Sequence, residues 1–466
     1  MRQESSGEIR DWWGRAPFGR ESQSGGSGAE REVKGLQRYQ GSETLARRAD
    51  AVVIGAGIVG LASAYELAVR KLKVCLLDGS QPGSGQSTRN WGFIRQQGRA
   101  VEELPIMIEA NRMWRELSGR LGTDLEWVQG GNLRLTDQPQ RAADYRRWIE
   151  VARSLGLDSR VATSEDVERI VPGLTGNFAL AIFTPSDGQA NPVKVVSGYL
   201  KALESEGGEL HRACQVREIV TAGGQVVGVR TEDGFIASST VVVAAGTGSG
   251  GLLRKLGYQV PIHFVSQTVA LTDPVARLTD ACVWTGRVGF RQTPQGQVVL
   301  SSGGRGEIVL DTAAISSLAS PRQLRQAVPM YWKNREYLQV RPRNVLSVLG
   351  QRKPGKYLDG MVRYEEVERS LATMAEYFPN RNWRPVMAWA GTIDGTPDAL
   401  PIVDVCGPGS GIVIATGMSG HGFGIAPAIG RIVAELITTG HTAHDLRPFR
   451  LRRFVEGAAK APQHLL

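Results

Sequence analysis

The chain has few of the residues that crosslinks and metal sites require. Only 4 cysteines and 6 histidines occur among its 466 residues. The cysteines are Cys75, Cys214, Cys282 and Cys406. Because they are widely separated and form no C-x-x-C pair, a disulfide framework and a zinc site are both disfavoured. We expect small core residues in a reducing, cytoplasmic protein. His441 and His444 have no metal-ligand spacing and are expected to be solvated, so no metal is predicted.

Long apolar segments are also missing. A membrane-spanning helix needs on the order of 18 apolar residues, and no such run occurs, so no transmembrane segment is predicted. Residues 1–49 lack the apolar stretch of a signal peptide, and their acidic residues argue against a transit peptide. This polar segment is rich in glycine, serine, arginine and glutamate. We therefore expect a disordered N-terminal extension.

What is present describes an ordinary globular protein with an excess of positive charge. Hydrophobic residues make up 41% and charged residues 22%, and the length predicts two or more domains. The net charge of +9 could indicate nucleic acid, an anionic membrane surface or an acidic partner. No basic run interleaves with aromatic residues along a helix. A basic enzyme with scattered arginines is therefore favoured, and no DNA partner is expected.

Residues 50–78 form a dinucleotide-binding pattern. A buried strand enters a G-x-G-x-x-G turn, an apolar helix follows, and a second strand ends in Asp78. Gly55 permits the tight turn, Gly57 lets backbone approach a pyrophosphate, and Gly60 lets the helix lie close to the strand. The helix start would face the phosphates, and the Asp78 carboxylate would accept hydrogen bonds from ribose hydroxyls. This motif does not distinguish FAD from NAD.

The remaining chain predicts two domains whose segments interleave. Helices are expected over about 101–121, 142–155 and 192–204, with a last helix starting near Ala426. We predict an α/β fold: a Rossmann-like domain with a parallel sheet and a β-meander, plus an α+β domain with a mixed or antiparallel sheet. The cofactor domain would comprise residues 50–124, 188–259 and 388–455, and the substrate domain residues 125–187 and 260–387.

The part of the chain over residues 303–363 is rich in arginine and lysine and carries aromatic residues. Two interpretations stay open. The segment is a solvated basic insertion on the substrate domain, or it is a docking face for a partner or an anionic ligand.

Two glycine-rich signatures lie near the C-terminus. The first, Trp-Ala-Gly-Thr-Ile-Asp-Gly-Thr-Pro-Asp-Ala-Leu-Pro, occupies residues 389–401. The second, Ala-Thr-Gly-Met-Ser-Gly-His-Gly-Phe-Gly-Ile-Ala-Pro, occupies residues 415–427 and joins an apolar strand to a helix. The positive end of that helix dipole could stabilise negative charge on a bound group.

Together with the Ser-Thr-Arg-Asn-Trp-Gly loop at 87–92 and the Val-Val-Ala-Ala-Gly strand end at 242–246, these motifs resemble one family. It is the D-amino-acid-oxidase-type (DAO) family of FAD-dependent oxidoreductases, which includes sarcosine oxidase and glycine oxidase. The matching motifs span about residues 50–450. Their joint occurrence in this order carries the resemblance.

The resemblance implies FAD as the cofactor and assigns residues to it. The predicted cofactor-binding residues are Gly55, Ala56, Gly57, Ile58, Gly60, Asp78, Ser87, Thr88, Arg89, Asn90, Trp91, Gly92, Val216, Ala245, Gly246, Gly391, Gly417, Ser419, Gly420, His421, Gly422 and Phe423. The cysteine that holds the flavin covalently in monomeric sarcosine oxidase is replaced here by Gly391. We therefore expect FAD to be bound noncovalently.

The resemblance also implies an amino-acid or amine substrate that is oxidised at its C–N bond by hydride transfer to flavin N5, giving an imine. Arg95 matches the carboxylate-binding arginine of sarcosine oxidase-like members, although a structural ion pair is an equal alternative. Arg99 and Arg291 are weaker candidates for this role. His421 matches an active-site histidine, whereas the family's lysine contact is replaced by Gly424. The predicted catalytic residues are Arg95 and His421.

Several features of the function stay open at this point. N-alkyl, D- and opine-type amino acids are all compatible with the resemblance, and the electron acceptor is oxygen or another molecule. Similarity to sarcosine oxidase β subunits around Arg95 and Phe290 raises the alternative of a flavin or electron-relay subunit with partner subunits. A flavoprotein domain that acts on tRNA is a further alternative, because the chain is basic. The C-terminal signatures disfavour an NAD-dependent dehydrogenase.

Overall fold

The computed structural model describes residues 41–42, 44–302, 307–309, 362–407 and 409–460. Within these ranges no helix has the length and apolar character needed to cross a membrane. Most of the predicted basic insertion at 303–363 lies outside the described residues, as do residues 1–40.

The described strands, numbered along the chain, are β1 (Ala51–Ile54), β2 (Val74–Leu77), β3 (Phe93–Ile94), β4 (Asn132–Thr136), β5 (Arg160–Ala162), β6 (Leu180–Thr184), β7 (Gly188–Gln189), β8 (Glu209–His211), β9 (Val216–Ala222), β10 (Gln225–Thr231), β11 (Phe235–Ala237), β12 (Val241–Val243), β13 (His263–Thr272), β14 (Cys282–Trp284), β15 (Val288–Gln292), β16 (Val298–Ser302), β17 (Glu307–Val309), β18 (Pro385–Gly395), β19 (Ile402–Val405) and β20 (Ile412–Thr416).

The described α-helices are α1 (Ile58–Val69), α2 (Leu104–Arg120), α3 (Pro139–Ser154), α4 (Ser164–Ile170), α5 (Pro192–Ser205), α6 (Ser249–Arg254), α7 (Tyr364–Tyr377), α8 (Gly422–Thr438) and α9 (Arg453–Glu456).

A six-stranded sheet in the order β19-β20-β12-β1-β2-β8 forms the first layer, and it is parallel except for β19. Its central strands are short runs of aliphatic residues because both of their faces are buried. Ala51 and Val53 face a core that includes residues of α1, α2, α5 and α8. Val52 and Ile54 face the opposite core, where the antiparallel meander β9–β10–β11 packs.

A nine-stranded mixed sheet forms the second layer. Its order is β17-β13-β16-β15-β14-β4-β6-β5, and β18 pairs with the other edge of β13. Only the β4–β14 pair is parallel among these described strands. Leu133 and Leu135 of β4 face the core formed with α7, whereas Asn132, Arg134 and Thr136 occupy the alternate positions.

The predicted fold class is confirmed: a parallel sheet with a β-meander is combined with a mixed, largely antiparallel sheet, and their strands interleave along the chain. The long strand β18 joins the two layers. It pairs with β13 from Met387 to Gly395 and then leads into β19 of the parallel sheet. The exact domain boundaries stay a prediction.

One element prediction is corrected. The last long helix begins at Gly422, not near Ala426, with Pro427 inside it. Pro427 removes one helix hydrogen bond, but burial of Phe423 and Ile425 stabilises the first turn despite that loss.

The prediction that residues 1–49 form a disordered extension is wrong for residues 44–49. Ala46 and Ala49 are buried, and the Ala49 amide donates to the Ala237 carbonyl at 3.0 Å. Arg48 forms an isolated parallel bridge with Ala237 of β11. Residues 44–49 are therefore part of the packed structure, because they cover the edge of the meander.

The cysteines and histidines are distributed as core and surface residues. All four cysteines are buried and unpaired, as predicted. His441 is exposed, but the expectation of solvation was wrong for His444, whose Nε2 lies 2.6 Å from Glu109 Oε2.

The turn around Asp398 is held by a buried ion pair. Arg453 donates Nε to Asp398 Oδ2 at 2.7 Å and Nη2 to Oδ1 at 3.0 Å. Both side chains are almost fully buried. This two-point contact fixes the C-terminal residues beside the first glycine-rich signature.

Candidate active site

The three glycines of the turn between β1 and α1, Gly55, Gly57 and Gly60, have different roles. A Cβ on Gly55 would collide with the Ala244 carbonyl oxygen, and one on Gly60 would collide with the Gly55 carbonyl oxygen. A Cβ on Gly57 would meet only Ser87 Oγ, at 3.2 Å. Gly55 and Gly60 are therefore required for the fold itself, whereas Gly57 keeps space open at the helix start.

The start of α1 is suited to an anionic ligand. Gly57 precedes it without a side-chain cap, and its first turn contains no acidic residue. The Ile58 amide donates to Ser87 Oγ at 2.8 Å, which brings the loop after β2 against this turn. An uncapped helix start lined by glycine is the arrangement that favours phosphate binding.

Asp78 lies at the end of β2 beside the same turn. Its carboxylate accepts the Ala56 amide at 2.7 Å and the Ser80 amide at 2.8 Å. The side chain is 4% exposed. Asp78 therefore orders the turn in addition to its predicted contact with ribose.

The predicted loop at 87–92 meets β18 of the first glycine-rich signature. Trp389 Nε1 donates to the Arg89 carbonyl at 2.9 Å, and Gln86 Nε2 donates to the Thr392 carbonyl at 2.6 Å. A Cβ on Gly391 would lie 3.2 Å from Arg89 Cβ. Segments some 300 residues apart in sequence are thus brought together, as the family motifs predict.

The second glycine-rich signature is ordered by Asp394. Its Oδ2 accepts the Gly417 amide at 3.0 Å and the Met418 amide at 3.4 Å. The Ser419 hydroxyl accepts the Thr396 amide at 3.1 Å. The helix α8 then begins after His421 with no side-chain cap and no acid in its first turn. Its positive end is available to a group at this loop.

Burial raises the pKa of Asp394 to about 6, despite donors that favour its ionised form. A carboxyl whose pKa is raised on folding adds stability below its unfolded pKa, and this contribution is lost as pH rises through the folded pKa. The unfolding free energy of the wild type should therefore fall as pH rises from about 4 to 6. In Asp394→Asn we expect this fall to be smaller by about 2 kcal/mol.

Urea unfolding at several pH values checks this expectation, with the exposed Asp137→Asn as the control. Asp187, whose pKa burial also raises to about 6, should keep part of the wild-type slope in both variants. An unchanged pH slope in Asp394→Asn would contradict the assignment.

The remaining predicted cofactor residues occupy different places. Gly246 follows β12, and a Cβ on it would lie 3.4 Å from Gln86 Oε1, so this turn approaches the loop at 87–92. Ala245 immediately precedes it. Val216 starts β9 and is buried in the core between the parallel sheet and the meander. Their contacts with the cofactor stay predictions.

The two predicted catalytic residues lie in a buried charged centre. His421 Nδ1 lies 2.9 Å from Glu103 Oε2, and Arg99 Nε lies 4.0 Å from Glu103 Oε1. Burial, with repulsion from Arg99, lowers the pKa of His421 to about 4. Burial opposes ionisation of Glu103, but the charge of Arg99 and the hydrogen bond from His421 outweigh it and lower the pKa of that carboxyl. A neutral His421 therefore donates Nδ1–H to ionised Glu103.

Arg95 lies on a loop held by Asp187. The Gln96 and Gln97 amides donate to the two oxygens of Asp187 at 2.8 and 3.2 Å. Arg95 Nη1 donates to the Gln97 carbonyl at 2.7 Å, and no side-chain ion pair of Arg95 occurs within the described part of the chain. The structural ion pair considered for Arg95 is therefore not formed there.

The two weaker arginine candidates have other contacts. Arg99 interacts with Glu103 and donates Nε to the Arg95 carbonyl at 3.2 Å. Arg291 donates Nη1 to Gln189 Oε1 at 3.0 Å and Nε to the Trp91 carbonyl. Arg291 therefore supports the loop that carries Trp91.

Sequence reasoning missed three charged residues of this centre: Glu103, Arg134 and Asp187. No motif marks the acids. Asp187 accepts from Gln96, 91 residues away, and Glu103 contacts His421, 318 residues away, although Arg99 is only four residues from Glu103. Arg134 alternates with Leu133 and Leu135 along β4, a pattern that indicates an exposed position, yet the side chain is 1% exposed. Its guanidinium carbon lies 5.6 Å from the Tyr145 ring centroid and 5.7 Å from that of Trp284.

Comparisons with known proteins find one matching family and several similar proteins. The profile of the family described as FAD dependent oxidoreductase (DAO) matches residues 50–436. A glycine oxidase of Geobacillus kaustophilus is 24% identical, over 88% of this chain and 98% of its own. A sarcosine oxidase subunit beta of Rhodobacter capsulatus is 25% identical, over 91% of this chain and 92% of its own. The crystal structure of an L-proline dehydrogenase from P. horikoshii superposes with a TM-score of 0.73 and 25% identity, covering 89% of this chain and 99% of that one.

Proposed function

Because the chain belongs to the DAO family of FAD-dependent oxidoreductases, we propose that it oxidises the C–N bond of a small N-alkyl, D- or opine-type amino acid. The family and the relatives show the general activity, without the substrate: the chain is an FAD-dependent oxidoreductase of amino acids or amines. The single observation that supports the finer proposal is the buried arginine centre beside His421, which suits an amine that carries a carboxylate.

The residues present fit FAD at both of its ends. At one end, Gly57 leaves room at the uncapped start of α1 for a pyrophosphate. At the other end, the uncapped start of α8 and the amides ordered by Asp394 suit the flavin pyrimidine. Gly391 offers no nucleophile for a covalent link, which supports noncovalent binding. FAD, when bound, supplies the hydride acceptor for oxidation of the amine.

The protein's contribution is to bind and orient the substrate. Arg95 would hold the substrate carboxylate with charge-assisted hydrogen bonds from the guanidinium nitrogens that Gln97 does not occupy. His421, oriented through Nδ1 by Glu103, carries its lone pair on Nε2 and would accept a hydrogen bond from the substrate amine. No strong base is required if the amine binds in its neutral form.

An absorbance scan of the purified chain tests the cofactor, and anaerobic mixing with a panel of N-methyl, D- and opine-type amino acids tests the reaction. We expect a flavin spectrum that bleaches with at least one amine. Acid precipitation should release the FAD to the supernatant because no covalent bond holds it. A flavin that every member of the panel leaves oxidised would contradict the proposed substrate class.

A further inference from the structure

Arg134 on β4 is a buried positive charge that has no carboxylate partner among the described residues. Arg134 is 1% exposed, yet its side chain makes no hydrogen bond and no ion pair with any described residue. Its Nε and Nη1 atoms are both buried and unpartnered. Burying an unpaired charge is costly, so a protein keeps such a group chiefly where a ligand completes its hydrogen bonds.

The neighbouring acids are committed elsewhere. Asp187 accepts two backbone amides and the Gln96 side chain, and Glu103 is shared between His421 and Arg99. The cluster therefore places three guanidinium groups, those of Arg95, Arg99 and Arg134, beside only two carboxylates. One substrate carboxylate at Arg95 would balance the charge, but the Arg134 Nε and Nη1 atoms would still have no hydrogen-bond acceptor among the described residues.

The chemistry of Arg134 and its position indicate the type of anion. The guanidinium carbon of Arg134 lies over the Tyr145 and Trp284 rings, and neither ring supplies an anion. A carboxylate suits a guanidinium because its two oxygens can accept two parallel N–H donors. A Cβ on Gly98 would lie 2.9 Å from Arg134 Nη1 and 3.3 Å from Arg95 Nη1. The two arginines thus face one region from different layers of the fold.

We propose that Arg134 is a specificity-determining residue that binds a second carboxylate of the substrate, so that the preferred substrates are amino acids or secondary amines with two carboxylates. The proposal deepens the proposed function and rests on it, since Arg95 is taken to hold the first carboxylate. Arg134 then selects dicarboxylic over monocarboxylic substrates of the same length.

Binding without turnover gives the first test. Succinate and butyrate are matched four-carbon acids, and their dissociation constants can be measured from the flavin absorbance of the holoenzyme. We expect succinate to bind about 10- to 100-fold more tightly than butyrate. Arg134→Met should abolish that preference and leave butyrate binding unchanged, while the exposed Arg146→Met should keep it. Equal affinity for the two acids in the wild type, or equal weakening of both in Arg134→Met, would overturn the proposal.

Stability gives a second readout that a purely structural arginine would not produce. Methionine keeps most of the packing against Tyr145 and Trp284 but removes the unpaired charge, so the Tm of the acid-free Arg134→Met holoenzyme should not fall. A lowered Tm with the succinate preference retained would assign Arg134 to the fold and overturn the subsite.

Steady-state turnover of two matched amines distinguishes the dicarboxylate subsite from the proposed amine oxidation. The matched amines are N-ethylglycine and N-(carboxymethyl)glycine, and we expect wild-type kcat/KM to favour the second by about 10- to 100-fold. If no amine bleaches the flavin while the succinate preference depends on Arg134, the amine oxidation fails and the dicarboxylate subsite stands. Amine oxidation with no preference between the two substrates would overturn the subsite and leave the proposed function intact.

Discussion

Gly57→Val should yield a folded protein that has lost its FAD. The backbone at Gly57 has φ −72° and ψ 172°, which a valine adopts without strain, and only Ser87 Oγ lies within 4 Å of an added Cβ. The side chain would instead occupy the space through which a pyrophosphate approaches the start of α1. We expect FAD affinity to fall by at least about 100-fold, which corresponds to about 3 kcal/mol.

The measurements are the flavin absorbance per mole of purified protein, the FAD dissociation constant after reconstitution, and circular dichroism for the fold. Gly251→Val is the matched control, because no atom lies within 4 Å of its added Cβ, and it should keep the yellow colour. Gly60→Val should instead fail to fold, since its Cβ would collide with the Gly55 carbonyl oxygen. A yellow Gly57→Val protein with wild-type FAD affinity would disprove the placement of the pyrophosphate.

Arg95→Met should lower kcat/KM for amino-acid substrates by about 100- to 1,000-fold, chiefly through KM. Removing one partner of a buried, charge-assisted contact costs about 2–5 kcal/mol, and each 1.4 kcal/mol is tenfold. The FAD content should be unchanged, because Arg95 donates to Gln97 on its own loop. Steady-state kinetics with the best substrate from the amine panel measure the effect.

Two further variants separate charge from geometry at this position. Arg95→Lys keeps the charge but not the planar fork, so it should recover only part of the loss. Arg115→Met removes an exposed arginine of α2 and should leave kcat/KM at the wild-type value. An Arg95→Met enzyme with unchanged KM and full flavin would remove the carboxylate-binding role from Arg95.

The two results differ in which part of the proposal they test. Gly57→Val acts on the cofactor end of the site, and Arg95→Met acts on the substrate end. Loss of colour in the first, with altered KM in the second, would place both ends on the segments identified from the sequence. Arg134 adds the question of how many carboxylates the substrate carries.

The layout of the parallel sheet and its glycine turn could be predicted because it depends on local patterns. A buried strand such as Ala51–Ile54 needs consecutive aliphatic residues, and a close helix–strand contact needs glycine at position 60. These requirements are satisfied by residues next to each other in the chain. The start of α8 was misplaced because the local signal of Pro427 was outweighed by burial of the turn before it.

By itself, the sequence determined the fold class, the family and the dependence on FAD. Only the tertiary structure decided which charges meet. Glu103 and His421 are separated by 318 residues, and Arg134 is buried because the loop after β3 and the helix α3 cover β4. The physical reason is that electrostatic interactions depend on distance and on exclusion of water, and neither is recorded in the order of residues along a chain.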